Sequence, residues 1–292
     1  MTFNIKKIFH APVLILFLTL LYSCHKEEEH IPPTVYATDE NIILNDVPYG
    51  SDPKQRMNVY LPQGRSTSST KFIVLIHGGA WSLGDKDEFG LLDENAFAIL
   101  RSQFPDFAFF NLNYRLVEGA KNQYPAAEND IKSAMDHIYD NLNSYQISSH
   151  TYLLGASAGA HLAALYVLKN NHTRLKGCIA LAGPYNLVSL YKASDALAKT
   201  HIADFLGGTP NQVPDQYEKA SPVNFITPNS PKFLIVHGTQ DELVPISQAI
   251  EFKNALESKN VPTTYLTYPG GHEEVPPESL LVAFLYFKAF LK

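Results

Sequence analysis

Residues Thr151 to His161 read Thr-Tyr-Leu-Leu-Gly-Ala-Ser-Ala-Gly-Ala-His. At the centre is Gly155-Ala156-Ser157-Ala158-Gly159, a Gly-x-Ser-x-Gly pentapeptide between an apolar, strand-like run and a helix-like one. Small residues on both sides of the serine let the chain turn sharply, which lifts the hydroxyl clear of the sheet. A serine alcohol is a poor nucleophile at neutral pH. It becomes reactive when an imidazole takes its proton and an anion holds that imidazole. The chemistry this pentapeptide could do is therefore acyl transfer, provided the rest of the chain supplies a histidine and a carboxylate. With an elbow of this kind the acid follows the serine and the histidine follows the acid.

The histidines after Ser157 are His161, His172, His201, His237 and His272. His161 lies one helical turn beyond the serine, where the helix carries its side chain away from the hydroxyl. His172 belongs to a polar helix-end loop and His201 to an insertion described below. His237 ends an apolar run, where holding the following loop is the expected role. His272 follows Thr267-Tyr-Pro-Gly-Gly271, a glycine-rich loop after the last strand-like run, from which it can reach across the sheet top. The loop before it, Phe233 to Pro245, offers Asp241 and Glu242. Asp241 is preferred, because the shorter arm fits a loop at a strand tip, while Glu242 is expected to face solvent. The competing readings are a helix cap for Asp241, ahead of Pro245-Ile-Ser-Gln, and a surface loop position for His272. A tetrahedral intermediate also needs backbone N–H groups aimed at its oxygen. Ala158, directly after the serine, is one source. His77-Gly-Gly-Ala-Trp81, at the end of an earlier apolar run, is the other, unless it is a plain glycine turn.

These side chains need a scaffold that brings distant loops to one edge. Ile42 to Val47 and Arg56 to Pro62, separated by a turn-rich stretch, read as an antiparallel lead-in. Lys71 to His77 is a continuous apolar run, as expected of a strand buried on both faces. Helix-like and strand-like runs then alternate: Ala96 to Gln103, Phe107 to Leu112, Ala126 to Leu142, the Thr151 strand, Ala160 to Leu168, Leu175 to Leu181, Phe233 to Val236, Ser247 to Glu257, Thr264 to Thr267 and Leu280 to Leu291. In the third of these Ile131, Ala134, Met135, Ile138 and Leu142 recur at three-to-four spacing, giving one apolar face. Such alternation means an α/β protein, a mostly parallel sheet wrapped by helices. Residues 185–227 interrupt it without a clean strand and are expected to form a small cap at the strand tops.

Taken together, HGGAW at 77–81, NLNYRL at 111–116, YPAAENDI at 124–131, GASAG at 155–159, SPVNFI at 221–226, HGTQDELVP at 237–245 and GGH at 270–272 resemble a known family. The chain looks like an α/β-hydrolase of the esterase/lipase group that carries His-Gly-Gly-x-Trp, close to carbohydrate-esterase-like and feruloyl-esterase-like bacterial members. The resemblance implies the α/β-hydrolase fold with a small cap insertion. It assigns Ser157 as nucleophile, Asp241 as acid, His272 as base, and the amides of Gly79, Ala80 and Ala158 as oxyanion donors. It also implies that Asn113, Tyr114 and Arg115 support the oxyanion loop. The activity it implies is hydrolysis of carboxylic esters, of small acyl groups or acylated carbohydrates, with no metal and no cofactor. Peptidase and lipase activity on the same fold, or a non-catalytic binding role, are the alternatives. Trp81 and Tyr185, with Tyr191 and Phe205, are candidates for the substrate pocket, against core packing as the other use of such rings.

The N-terminal end reads differently. Lys6 and Lys7 precede a short apolar run from Val13 to Leu21, the pattern of a secretory signal. Leu21-Tyr-Ser-Cys24 resembles a bacterial lipobox, which would make Cys24 a lipidated first residue and anchor the chain by acyl groups. The expected organisation is a leader over 1–24, a flexible tether over 25–38 and a hydrolase domain over 39–292. The expected location is the bacterial cell envelope, lipid-anchored to the outer membrane on its periplasmic or cell-surface face. The acidic run after Cys24 resembles a surface-export signal. The only other cysteine, Cys178, sits in an apolar run and is expected to be a buried free thiol. Across all 292 residues the formal charge is −6, and shedding residues 1–24 would take it to −8 by removing two lysines and no acid. That sign argues against a nucleic-acid partner. The partners expected are a small-molecule or carbohydrate ester, and a membrane only through the lipid anchor.

Overall fold

The computed structural model describes residues 34–87, 94–170, 172–272 and 277–292. The leader, Cys24 and residues 25–33 of the expected tether lie outside the described residues. Phe72–Ile76, with no polar position, forms β3, and all five of its residues are buried. Its even positions Phe72, Val74 and Ile76 face one apolar layer, and Ile73 and Leu75 face the other. That is the arrangement a two-sided sheet requires of a strand at its centre.

Around it lie β1 (Ile42–Pro48), β2 (Arg56–Leu61), β4 (Ala108–Leu112), β5 (Thr151–Ala156), β6 (Leu175–Leu181), β7 (Lys232–Gly238) and β8 (Thr263–Tyr268). The eight-stranded sheet runs β1-β2-β4-β3-β5-β6-β7-β8. β1 pairs antiparallel with β2 and β2 with β4, and every other neighbour is parallel. The antiparallel lead-in and the parallel series thus follow the sequence pattern. Helices α1 (Glu94–Gln103), α2 (Ala126–Asp140), α3 (Leu142–Tyr145), α4 (Ala158–Lys169), α5 (Leu187–Ala193), α6 (Ala196–Leu206), α7 (Pro214–Ala220), α8 (Ser247–Ser258) and α9 (Pro277–Phe290) fill the connections. Ile131, Ala134, Met135 and Ile138 of α2 pack in one layer with Leu162 to Ala164 of α4 and Phe252 and Leu256 of α8. Leu100 of α1 and Ala283, Phe287 and Phe290 of α9 pack in the other. This is the α/β-hydrolase fold: a mainly parallel sheet covered by helices on both faces.

The insertion between β6 and β7 is helical. Asn186 caps α5 by accepting from the Val188 and Ser189 amides, Asp195 caps α6 by accepting from the Ala198 amide, and Gly207 ends α6 in the left-handed conformation at φ 84°. A 3-10 turn over Pro222–Phe225 follows α7. Part of this segment is interior: Tyr185, Phe205, Tyr217 and Ala220 are wholly buried in the same layer as α4. The stretch expected to form a cap has this buried inner face, and most of its remaining residues are half-buried or exposed. Cys178 is a buried free thiol in β6, as expected.

Candidate active site

Because β3, β5, β6, β7 and β8 run parallel, the loops after them emerge along one edge of the sheet. That is the edge where open α/β sheets place their sites. At the tip of β5 the backbone of Ser157 takes φ 53° and ψ −119°, the left-handed side of the map that side chains avoid, and α4 begins at the next residue. The flanking glycines are sterically required. A Cβ on Gly155 would lie 2.2 Å from the Gly159 carbonyl oxygen, and a Cβ on Gly159 would lie 2.0 Å from the Ile76 carbonyl oxygen. The Ser157 amide donates to Leu181 O at 2.8 Å, tying the turn to β6.

The structure brings Ser157, Asp241 and His272 together. Ser157 Oγ and His272 Nε2 are 2.9 Å apart, and His272 Nδ1 lies 2.7 Å from Asp241 Oδ2. The carboxylate can only accept, so Nδ1 carries the proton and Nε2 is free to accept from the serine hydroxyl. Asp241 does both things its position allows. Oδ2 faces His272, while Oδ1 accepts from the Leu243 and Val244 amides at 3.1 and 2.8 Å. The cap and the imidazole partner are two ends of one side chain. Glu242 is exposed. His237, wholly buried, donates through Nε2 to Val244 O at 2.8 Å and sits 3.3 Å from Asp241 Oδ2, the loop-holding role expected of it. Burial alone would raise the Asp241 pKa; the bonds from His237 and His272 outweigh it and hold the carboxyl well below the usual range. A hydroxyl, an imidazole and a carboxylate in this line can pass the serine proton to nitrogen and stabilise the cation that results.

The loop after β3 crosses the same space. A Cβ on Gly78 would sit 3.3 Å from Ser157 Cβ. Gly79, Ala80 and Trp81 all have positive φ, at 99°, 49° and 61°. Gly79 needs its missing side chain, since a Cβ there would meet Leu83 O at 2.1 Å. For Ala80 and Trp81 the left-handed shape costs about 1–2 kcal/mol each. Among the described residues, no protein group accepts a hydrogen bond from the amides of Gly79, Ala80 or Ala158. Of the three residues expected to support this loop, Tyr114 contacts it, while Asn113 and Arg115 hold other segments. The Tyr114 hydroxyl donates to His77 O and Gly78 O, at 3.1 and 3.2 Å, and its ring stacks on His77 at 4.4 Å. Asn113 accepts from the Lys86 amide and donates to Asp85. Arg115 forks onto the buried Asp130 of α2, with Nη2 to Oδ1 at 2.7 Å and Nε to Oδ2 at 2.9 Å.

Beside Ser157 lies a cavity of about 50 Å³. Ala80, Trp81 and Ala158 line one side, Leu190, Ser194, Ala198, His201 and Ile202 of the insertion the other, and Pro184, Leu243 and Val244 complete it. Trp81 is there as expected. Tyr185 is not: its ring is wholly buried and stacks on Phe252 of α8 at 4.1 Å, so it is a core residue and not part of the pocket. Phe205 supports from behind, stacked on Trp81 at 4.5 Å, and Tyr191 packs edge-on to Tyr217. His172 packs edge-on against Tyr139. Sequence reasoning missed the pocket wall from α5 and α6. The spacing 190, 194, 198, 202 carries that signal, but the break at Asp195 hides it.

Comparisons with known proteins find esterases. Esterase LipC of Mycobacterium tuberculosis is 26% identical over 245 residues, which cover 77% of this chain and 58% of that protein. Isoprenylcysteine alpha-carbonyl methylesterase ICME of Arabidopsis thaliana is 24% identical over 250 residues, covering 78% and 56%. The chain therefore spans a little over half the length of the curated relatives it matches. Among solved structures, a truncated carbohydrate esterase from gut microbiota superposes with a TM-score of 0.71 at 21% identity, covering 88% of this chain and 99% of that one, which speaks to the fold. The family model described as BD-FAE matches residues 57–256, some two thirds of the sequence and every element from β2 through α8, and on that ground the chain belongs to the BD-FAE family.

Proposed function

We propose that this chain is a serine hydrolase of carboxylic esters. The observation that carries the reading is the unbroken line of hydrogen bonds from Ser157 Oγ through His272 to Asp241. In the proposed reaction Ser157 Oγ attacks the ester carbonyl as His272 Nε2 takes its proton. Asp241 keeps the proton on Nδ1 and stabilises the imidazolium. The oxygen that gains charge faces the amides of Gly79, Ala80 and Ala158, which have no partner within the described protein and are free to donate to it. His272 then returns the proton to the departing alcohol. Water, deprotonated by the same imidazole, releases the acid from the serine.

The cavity supports a short acyl group, since about 50 Å³ holds only a few water-sized groups. The esterase names of LipC and ICME and the carbohydrate esterase among the structural neighbours support an ester substrate, and the last of these supports an acylated carbohydrate as the alcohol side. The lipobox-like Leu21-Tyr-Ser-Cys24 supports an envelope location by lipid anchoring. Ser157→Ala is the test. Turnover of p-nitrophenyl acetate should fall by about three to six orders of magnitude, with labelling by a fluorophosphonate probe abolished. Full turnover in that variant would discard the reading.

A further inference from the structure

His161 is wholly buried on α4, one turn beyond Ser157, and takes no part in the proton line. It is nevertheless fully engaged. The Trp81 indole N–H donates to His161 Nδ1 at 3.1 Å, and His161 Nε2 donates to Ala220 O at 2.7 Å. Since indole nitrogen can only donate, the tautomer is fixed: Nδ1 accepts and Nε2 carries the proton. One imidazole thus joins the serine's helix, the loop after β3 and the helical insertion. Phe205 packs edge-on to the same imidazole at 5.8 Å while stacking on Trp81.

We propose that His161 is a positioning residue for the ester reaction: by holding the Trp81 indole, it keeps Gly79 to Trp81 in the left-handed shape that presents the Gly79 and Ala80 amides to the Ser157 site. Ala80 and Trp81 are in a backbone conformation that their own side chains disfavour, so something outside the loop must hold it. Hydrogen bonds tie the carbonyls at either end, with Ser82 and Leu83 donating to Gly79 O and Val117 donating to Trp81 O. The Ala80–Trp81 peptide between them makes no hydrogen bond among the described residues. The Trp81 side chain, whose one polar atom ends on His161, is the further tie on the turn that carries the Gly79 and Ala80 amides. Burial pushes His161 down to about 4, so the acceptor nitrogen stays unprotonated at neutral pH and the clamp stays closed.

The inference rests on the hydrolase reading of Ser157, and its test is built to fail separately. Trp81→Phe keeps an aromatic ring beside Phe205 and removes the N–H together with part of the indole, so its loss is read against that of His161→Phe. His161→Phe keeps an aromatic ring and removes the acceptor. His161→Asn restores an acceptor oxygen close to the Nδ1 position. With p-nitrophenyl acetate, Trp81→Phe and His161→Phe should each lower kcat about tenfold with KM within about threefold, because the loss falls on the transition state. The double variant should be no slower than either single one, and His161→Asn should recover kcat to within about threefold of the parent. Trp81 is the only tryptophan in the chain, so its emission reports the clamp without turnover. The maximum should shift in His161→Phe and return in His161→Asn. If His161→Phe fails to fold, Trp81→Phe decides alone. Loss of turnover in Ser157→Ala together with a kcat within twofold of the parent in Trp81→Phe overturns the clamp and leaves the hydrolase standing. Additive losses in the double variant overturn it as well.

Discussion

Two imidazoles frame the site from positions where they cannot carry charge cheaply. His77 donates through Nδ1 to Gly78 O in the loop after β3, and His161 accepts from Trp81 of the same loop. Burial pushes each down to about 4, against about 6.5 for a histidine in an unfolded chain. Above pH 6.5 both are neutral in either state and cost nothing. Between 6.5 and 4 the unfolded chain takes up protons that the folded chain refuses, so stability falls as pH falls, by at most about 3 kcal/mol per histidine. Asp241 extends the loss at lower pH, because its folded pKa lies below the ordinary carboxylate value and its contribution disappears as pH drops past about 4. The urea midpoint should therefore decline steadily from pH 7 to pH 4. A flat profile over that range would contradict the placement of both rings. At this scale the sequence was most legible where chemistry restricts the choice. Asp241 and not Glu242 meets His272: Asp241 Oδ2 faces the imidazole while Oδ1 caps its own loop, and Glu242 is exposed. Tyr185 was illegible for the opposite reason. An aromatic ring suits a pocket and a core equally, and only the position of Phe252 decides between them.

Among the elements, the helices of the insertion were the least legible. The long periodic α2 could be read directly from Ile131, Ala134, Met135 and Ile138. The segment after β6 could not, because its helices have seven, eleven and seven residues, too short for intrinsic propensity to define them. They are fixed by Asn186, Asp195 and Gly207 at their ends and by burial of Tyr217 and Phe205. Asn186 Nδ2 and Ser189 Oγ also both donate to Glu251, binding α5 to α8. A detachable lid would lack this interior face. Replacing residues 187–220 with a short Gly/Ser linker tests the difference. The ends already meet, with the Leu187 amide donating to Ser221 Oγ at 2.9 Å, so closing the gap strains little. The expected product is an insoluble chain or one without a cooperative melting transition. A soluble, folded and more open enzyme would mark the segment as a lid after all.

For the molecule as a whole, strand–helix alternation was enough to predict the layers, but the order of the strands lies in long-range pairing that no local pattern encodes. That order puts β8 at the border of the sheet, paired with β7 alone and with most of its residues only half buried. The imidazole of His272 hangs four residues beyond it, in a loop that rests on the bare Cα of Gly238, where a Cβ would lie 2.5 Å from Gly270 O. Border strands open locally at a fraction of the free energy that unfolds the centre. Rising guanidinium should accordingly abolish the proposed esterase activity while far-ultraviolet dichroism is still native, and dilution should restore it without a slow refolding phase. Amide exchange should be fastest, among the parallel strands, along β8. The protein would then pass through a state that has kept its architecture and lost the proposed chemistry, because the imidazole proposed to activate the serine is mounted on the part of the sheet that lets go first.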